Sequence, residues 1–110
     1  MSDASIVVVL VTASGDEEAR RIGRALVDER LAACVNVIGP IASIFRWKDR
    51  VQEESEHLLV VKARRADVER LAARVRALHS YEVPEVLALE VVGGAAPYLD
   101  WVRDSTARDD

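Results

Sequence analysis

An uninterrupted apolar run of six residues at positions 6–11, IVVVLV, constrains the fold of this chain more than any other feature. Its β-branched residues favour a strand, and apolar side chains in succession occupy both faces of that strand. Residues 58–61, LLVV, repeat the pattern further along the chain. A sheet built from such strands has two apolar faces, so both faces need to be covered.

The remaining patterns predict a β-α-β-β-α-β order followed by a short helix. Ser14 and Glu17 form a capping box that starts a helix running to about residue 32. Asp67 is placed to cap a second helix, and Pro97 suits the first turn of a short last helix. The predicted strands lie at residues 6–11, 34–47, 51–63 and 85–91.

This order places both long helices on one face of a four-stranded sheet, because β-α-β crossovers are right-handed. The expected fold is therefore a ferredoxin-like α+β sandwich. With 110 residues the chain has room for one domain, which we assign to residues 1–110 with its core at about 5–103. The second and third predicted strands are each about 13 residues long, whereas strands usually have ~5–6 residues. Their length predicts a long hairpin.

Two features of this fold do not suit a monomer. The helices cover one sheet face only, and the tip of the long hairpin leaves unpaired strand edges in water. Packing of sheet faces and pairing of hairpins between subunits resolve both problems, so we expect an obligate oligomer. Trp47, beside the hairpin turn at residues 48–50, is expected to lie in such an interface.

Composition and charge exclude several classes of function. The net charge is −4 at pH 7 and aromatic residues make up 5%, which disfavours a basic or base-stacking surface for nucleic acid. No apolar run approaches the ~18 residues of a membrane span, and residues 1–4 do not resemble the start of a signal peptide. The single cysteine excludes an intrachain disulfide, so we expect a reducing, cytoplasmic compartment.

Cys34 and His79 have the clearest potential for metal chemistry. Cys34 follows the first helix, where a free thiol is either a small buried hydrophobe or a soft-metal ligand. His79 ends the second helix, where it either interacts with the helix dipole or takes part in a site. Tyr81, Glu82 and Glu85 follow it at a helix-to-strand junction, a position where sites are often built.

Lys62 lies in an apolar strand, where its ammonium either extends to water or pairs with Glu82 of another subunit. The sequence contains no glycine-rich phosphate loop and no nucleophile elbow. We therefore predict a binding protein without an organic cofactor rather than an enzyme.

Five short segments carry a family resemblance: VTA at 11–13, LAACVN at 31–36, SIFRW at 43–47, HSYEVPE at 79–85 and YLDW at 98–101. In this order and spacing they resemble the CutA family of divalent-cation tolerance proteins, over about residues 6–102. HSYEVPE is the most specific of the five segments.

The resemblance implies a ferredoxin-like subunit in a tight homotrimer, with copper binding and tolerance to copper and other divalent metals. Cys34 matches the family's cysteine before the second strand, and His79 matches its histidine before the tyrosine. Some members have a second cysteine and a second histidine, whose places here are taken by Val11 and Leu78. The usual proline after the histidine is Ser80 in this chain.

We therefore expect a modest copper site centred on His79 and completed by Glu82, water or groups of a neighbouring chain, with Cys34 chiefly a ligand for Cu(I). The alternative is a trimeric small-molecule-binding or signalling module, similar in fold to nitrogen-regulatory trimers. The ligand of such a module is expected in an inter-subunit cleft near Trp47, Lys62, Tyr81 and Glu82.

Overall fold

The computed structural model describes residues 5–108 of the chain. Within that range the elements are β1 (Ile6–Ala13), α1 (Asp16–Asp28), β2 (Cys34–Trp47), β3 (Arg50–Arg64), α2 (Val68–Leu78), β4 (Val86–Glu90) and α3 (Ala96–Ser105). A 3-10 turn at Arg65–Asp67 precedes α2. In this part of the chain, the helices are too short or too polar to cross a membrane.

The four strands form one antiparallel sheet in the order β2-β3-β1-β4. Helices α1 and α2 pack on the same face, where Val9 and Val61 of the sheet join Ile22 and Leu71 in one buried core. Helix α3 packs separately and buries Val102. This arrangement confirms the predicted ferredoxin-like α+β sandwich with a short C-terminal helix and a long hairpin.

Helix α1 starts one residue later than the sequence predicts, and its cap changes accordingly. Gly15, rather than Ser14, is the N-cap residue, so Glu18 rather than Glu17 occupies the third helical position. The Glu18 carboxylate accepts hydrogen bonds from the Ser14 backbone N–H and hydroxyl, each 2.9 Å long. The predicted pairing of Ser14 with Glu17 is therefore wrong by one residue.

Helix α1 also ends earlier than predicted, at Asp28 instead of about residue 32. Arg30 adopts a left-handed φ of 59°. The N–H groups of Leu31 and Ala32 both return to the carbonyl oxygen of Leu26. These bonds satisfy the last turn of the helix and redirect the chain into β2.

Helix α2 begins where the sequence predicts, with Asp67 at its N-cap. The Asp67 carboxylate makes no bond to the N–H groups of the helix. It accepts hydrogen bonds instead from Arg64 at 3.2 Å and Arg108 at 2.6 Å. Asp67 therefore ties the start of α2 to the segment that follows α3.

The sheet face turned away from α1 and α2 is apolar, as the two-sided pattern predicts. Leu10 of β1 lies between Val60 of β3 and Leu87 of β4. Leu87 and Leu89 are 56% and 52% exposed, so this face is uncovered in the single chain. We call it the open face; its apolar residues are Val8, Leu10, Ile38, Leu58, Val60, Leu87 and Leu89.

The hairpin of β2 and β3 extends past the end of β1 as a two-stranded ribbon. Pairing between β1 and β3 ends where Ala13 lies opposite His57. Strands β2 and β3 remain paired as far as Trp47 and Arg50. We define the ribbon as residues 41–56; it confirms that the predicted hairpin overruns its neighbours.

Two local features shape this hairpin. The pairing register shifts between Ile38 and Ile41, around Pro40. A bulge is expected there because proline cannot donate a ladder hydrogen bond. At the tip, Lys48 and Asp49 have left-handed φ values of 52° and 63°, as a two-residue hairpin turn requires.

Candidate functional site

A cavity of about 740 Å³ lies between the ribbon and the segment that joins α2 to β4. Three aromatic rings and four carboxylates contribute to its walls. Among the lining residues in the described range there is no lysine, arginine or histidine. We call it the acidic cavity; its aromatic and acidic residues are Phe45, Trp47, Glu54, Glu56, Tyr81, Glu82 and Glu85.

The structure brings together three of the four residues predicted for a ligand cleft. Trp47, Tyr81 and Glu82 all line the acidic cavity. Lys62 does not, because it lies on the open face opposite Cys34. Its ammonium is hydrogen-bonded to the side-chain oxygen of Asn36. Within one chain, Trp47, Tyr81 and Glu82 therefore share a cavity and Lys62 lies outside it. The pairing of Lys62 with Glu82 of another subunit stays a prediction.

His79 is held by both of its ring nitrogens. Its side chain is fully buried. Nδ1 accepts a hydrogen bond from the backbone N–H of Tyr81 at 3.0 Å. Nε2 lies 2.7 Å from the carbonyl oxygen of Thr12, so it carries the proton and donates. The imidazole thereby connects β1 to the segment after α2 and places Tyr81 beside the cavity.

Glu18 reinforces the same junction from α1. Besides its two bonds from Ser14, it accepts a 2.7 Å hydrogen bond from the backbone N–H of Ser80. Its burial opposes ionisation, but the hydrogen bonds from Ser14 and Ser80 outweigh this and lower the pKa of Glu18 to about 2. The charged carboxylate therefore joins the start of α1 to the end of α2.

Tyr81 connects this junction to the cavity wall. Its hydroxyl donates a 2.8 Å hydrogen bond to Oε2 of Glu56, which is buried with 7% of its surface exposed. Burial and the neighbouring Glu56 raise the pKa of Tyr81 above its ordinary value of 10.0. Burial and the charge of Glu56 also raise the pKa of Glu85. The cavity is thus a negatively charged site with aromatic walls.

The three predicted copper ligands do not meet within one chain. His79 bonds to Thr12, which lies at the level of Leu58 in the β1–β3 pairing. Cys34 lies opposite Lys62 of β3, which is four residues beyond Leu58. At about 3.3 Å per residue, this separates the two levels of the sheet by about 13 Å. Glu82 is exposed at the cavity. Residues 5–108 contain no group of three or more His, Cys, Asp or Glu side chains arranged to hold a metal ion.

Glu18 and Glu56 contribute to this region, although the sequence does not identify them as site residues. Glu18 is one of three consecutive acidic residues at the start of α1, and Glu56 is one of several in β3. Both belong to charge-rich segments that ordinarily face solvent. Their burial depends on packing between elements distant in sequence, which local patterns do not reveal.

Comparisons of the sequence and of the fold with known proteins point to the same family. The family model described as CutA1 divalent ion tolerance protein matches residues 7–105. The Divalent-cation tolerance protein CutA of Thermus thermophilus is 50% identical over 99 residues, covering 90% of this chain and 96% of that protein. Protein CutA of Homo sapiens is 46% identical over 102 residues, covering 93% of this chain.

The chain spans 57% of that human protein and 55% of the chloroplastic relative from Arabidopsis thaliana. Among solved structures, the divalent cation tolerance protein of Thermus thermophilus matches with a TM-score of 0.91 at 48% identity, covering 93% of this chain and 99% of that one. CutA1 from Oryza sativa matches with a TM-score of 0.92 at 39% identity, covering 96% of each chain. This chain therefore belongs to the CutA1 divalent ion tolerance family.

Proposed function

We propose that this chain forms a cytoplasmic homotrimer that contributes to divalent-cation tolerance by binding copper, or a chemically similar metal, with ligands from more than one subunit. The observation that carries the proposal is the uncovered open face in a chain of this family. The names of the relatives support the cation-tolerance role.

The trimer is supported by the two surfaces that one chain leaves without a partner. The open face exposes Ile38, Leu87 and Leu89 to between 49% and 56%, and contiguous apolar patches of this kind mark interfaces. The ribbon also exposes Ile44 and Val51, at 68% and 67%. Burial of both surfaces against neighbouring copies would remove this apolar area from water.

Cys34 is the predicted ligand that best supports copper binding. Cys34 is partly exposed in the edge strand β2, and thiolate sulfur is a preferred ligand of Cu(I). Binding through His79 would instead break one of two hydrogen bonds to a fully buried ring. One thiol does not complete a copper site, so further ligands would come from another subunit or from solvent.

The assembly is tested by light scattering combined with size-exclusion chromatography. We expect a mass of about three times the 12.1 kDa of one chain. Leu89→Glu, on the open face, should lower that mass because it places a charge in the interface. Val27→Glu, at a 40% exposed position of α1, is the matched control. A monomeric parent, or equal effects of the two substitutions, would contradict the trimer.

Metal binding is tested by competition of the reduced protein against a Cu(I) chelator. Cys34→Ser should lose most Cu(I) affinity, whereas His79→Ala should retain it if the variant folds. Circular dichroism provides the control for folding. Unchanged Cu(I) affinity in Cys34→Ser would remove the thiol from the site and refute this assignment.

A second function is favoured by the acidic cavity. Its volume of about 740 Å³ lies within the 300–1,000 Å³ typical of small-molecule sites. It combines apolar walls with a few polar groups, as such sites do. We therefore keep a small-molecule-binding or signalling role as the second candidate, and in both cases propose a binding protein rather than an enzyme.

A further inference from the structure

Glu56 is a buried carboxylate that lacks a positively charged partner. The residue is 7% exposed, and its carboxylate accepts one hydrogen bond from the described residues, from the hydroxyl of Tyr81 at 2.8 Å. Among residues 5–108, no lysine, arginine or histidine forms an ion pair with it. Burial of a carboxylate without a positively charged partner is unfavourable, and one hydroxyl bond offsets this cost only in part. A cation in the cavity would therefore stabilise Glu56.

The surroundings of Glu56 increase this demand. Glu54, Glu82 and Glu85 line the same acidic cavity. None of the described residues that line the cavity is basic, so no side chain in its walls offsets these charges. Four carboxylates around one concave space focus a negative potential into it, which favours a positively charged occupant.

The aromatic residues distinguish an organic cation from a metal ion. Phe45, Trp47 and Tyr81 contribute rings to the cavity. Aromatic faces do not coordinate hard metal ions, which require several oxygen ligands at close distance. They do attract ammonium and guanidinium groups, and the attraction strengthens in a desolvated site. A volume of about 740 Å³ is also far larger than a bare metal ion occupies.

We propose that the acidic cavity binds an organic cation, with an ammonium or guanidinium group near Glu56 and an apolar body against Trp47 and Phe45. The proposal rests on the second candidate function and names its ligand class. It does not depend on copper binding, because Cys34 lies outside the cavity lining. The hydrogen bonds of His79 and Tyr81 hold one aromatic wall in place before the ligand enters.

The test compares choline with its neutral isostere 3,3-dimethyl-1-butanol, in which carbon replaces nitrogen. A Trp101→Phe background leaves Trp47 as the sole tryptophan, so its fluorescence reports on the cavity. We expect saturable quenching with choline, confirmed by calorimetry, and at least tenfold weaker binding of the alcohol. Similar binding of the two compounds would overturn the proposal, because charge would then play no part.

Two substitutions locate the site. Glu56→Gln keeps the shape and should weaken choline binding at least tenfold, whereas Glu69→Gln, at an exposed position in the first turn of α2, should not. Trp47→Leu should weaken binding about tenfold through loss of the ring face. Equal choline affinity in Glu56→Gln and the parent would refute the assignment.

A basic side chain from a second copy of this chain is the competing occupant. In that case the parent would not bind choline, and Glu56→Gln would lower the molecular mass measured by light scattering. That pair of results would overturn the organic-cation proposal. Where light scattering shows that Glu56→Gln keeps the parent's assembly, its Cu(I) affinity should equal that of the parent, so failure of the organic-cation site is distinguishable from failure of the copper site.

Discussion

Replacement of Glu18 by glutamine tests whether the junction between α1 and α2 depends on one buried charge. The carboxylate accepts hydrogen bonds from Ser14 and Ser80 and is 8% exposed. In Glu18→Gln the amide oxygen can still accept from Ser14. The amide nitrogen, however, would face the Ser80 N–H as a second donor, so that bond is lost.

The size of the effect follows from the pKa of Glu18. Lowering this pKa from 4.5 to about 2 corresponds to about 3 kcal/mol, at about 1.4 kcal/mol for each tenfold change in acidity. Because the pKa is lower in the folded state, this stabilisation is fully present above about pH 4.5. It is lost as the pH falls towards 2, where the folded carboxyl takes up a proton.

Urea unfolding at equal chain concentration measures both parts of this expectation. At pH 7, Glu18→Gln should lose about 2–3 kcal/mol of unfolding free energy. Glu17→Gln, one residue away and exposed, should lose less than about 0.5 kcal/mol. The difference between the parent and Glu18→Gln should shrink between pH 4.5 and 2. Equal losses in the two variants, or a difference that stays constant to pH 2, would refute the reasoning.

Two further predictions concern the ribbon and the bulge at its base. Gly39→Ala should destabilise the chain by about 1–3 kcal/mol in urea unfolding, because the new Cβ would overlap the imidazole ring of His57. Gly93→Ala, with nothing within 4 Å, is the control. Trp47→Ala should weaken association of the subunits by ~2 kcal/mol or more, because aromatic anchors contribute this much to interfaces. The assembly should therefore dissociate at higher chain concentrations than the parent does. Sedimentation would detect this, and unchanged sedimentation would identify Trp47 as a passive surface residue.

The fold is predictable from the sequence because its signals are local and agree with one another. The apolar run at 6–11 identifies β1, and right-handed crossovers then restrict where the helices pack. The interruption of β2 follows from Pro40 alone, since proline lacks a backbone N–H. Each of these inferences needs only residues that are close in sequence, or the rule that β-α-β crossovers are right-handed.

The start of α1 is not predictable to the residue, for a physical reason. Asp16, Glu17 and Glu18 all suit the first turn of a helix, so each is compatible with a nearby serine cap. The choice of Glu18 depends on the N–H of Ser80, 62 residues away, which needs the same carboxylate. A contact between distant segments therefore decides what local propensity leaves open.

The position of Lys62 relative to the acidic cavity of its own chain is not predictable from the sequence, for a similar reason. Strand β3 carries Glu56 and Lys62 six residues apart, or about 20 Å in an extended strand. Tyr81 hydrogen-bonds at the Glu56 end, and β1 pairs Lys62 with Val8 near its own start. Without the strand register, the two ends of β3 are equally plausible neighbours of the segment after α2.

The role of His79 shows why residue type alone does not distinguish a ligand from a structural group. A metal ligand needs one ring nitrogen that is unprotonated and accessible. In this chain Nδ1 accepts from the Tyr81 N–H, and that bond places the proton on Nε2, which donates to Thr12. The ring therefore stabilises the position of Tyr81, and Tyr81 in turn bonds to Glu56. These hydrogen bonds position one aromatic wall of the acidic cavity without bound metal.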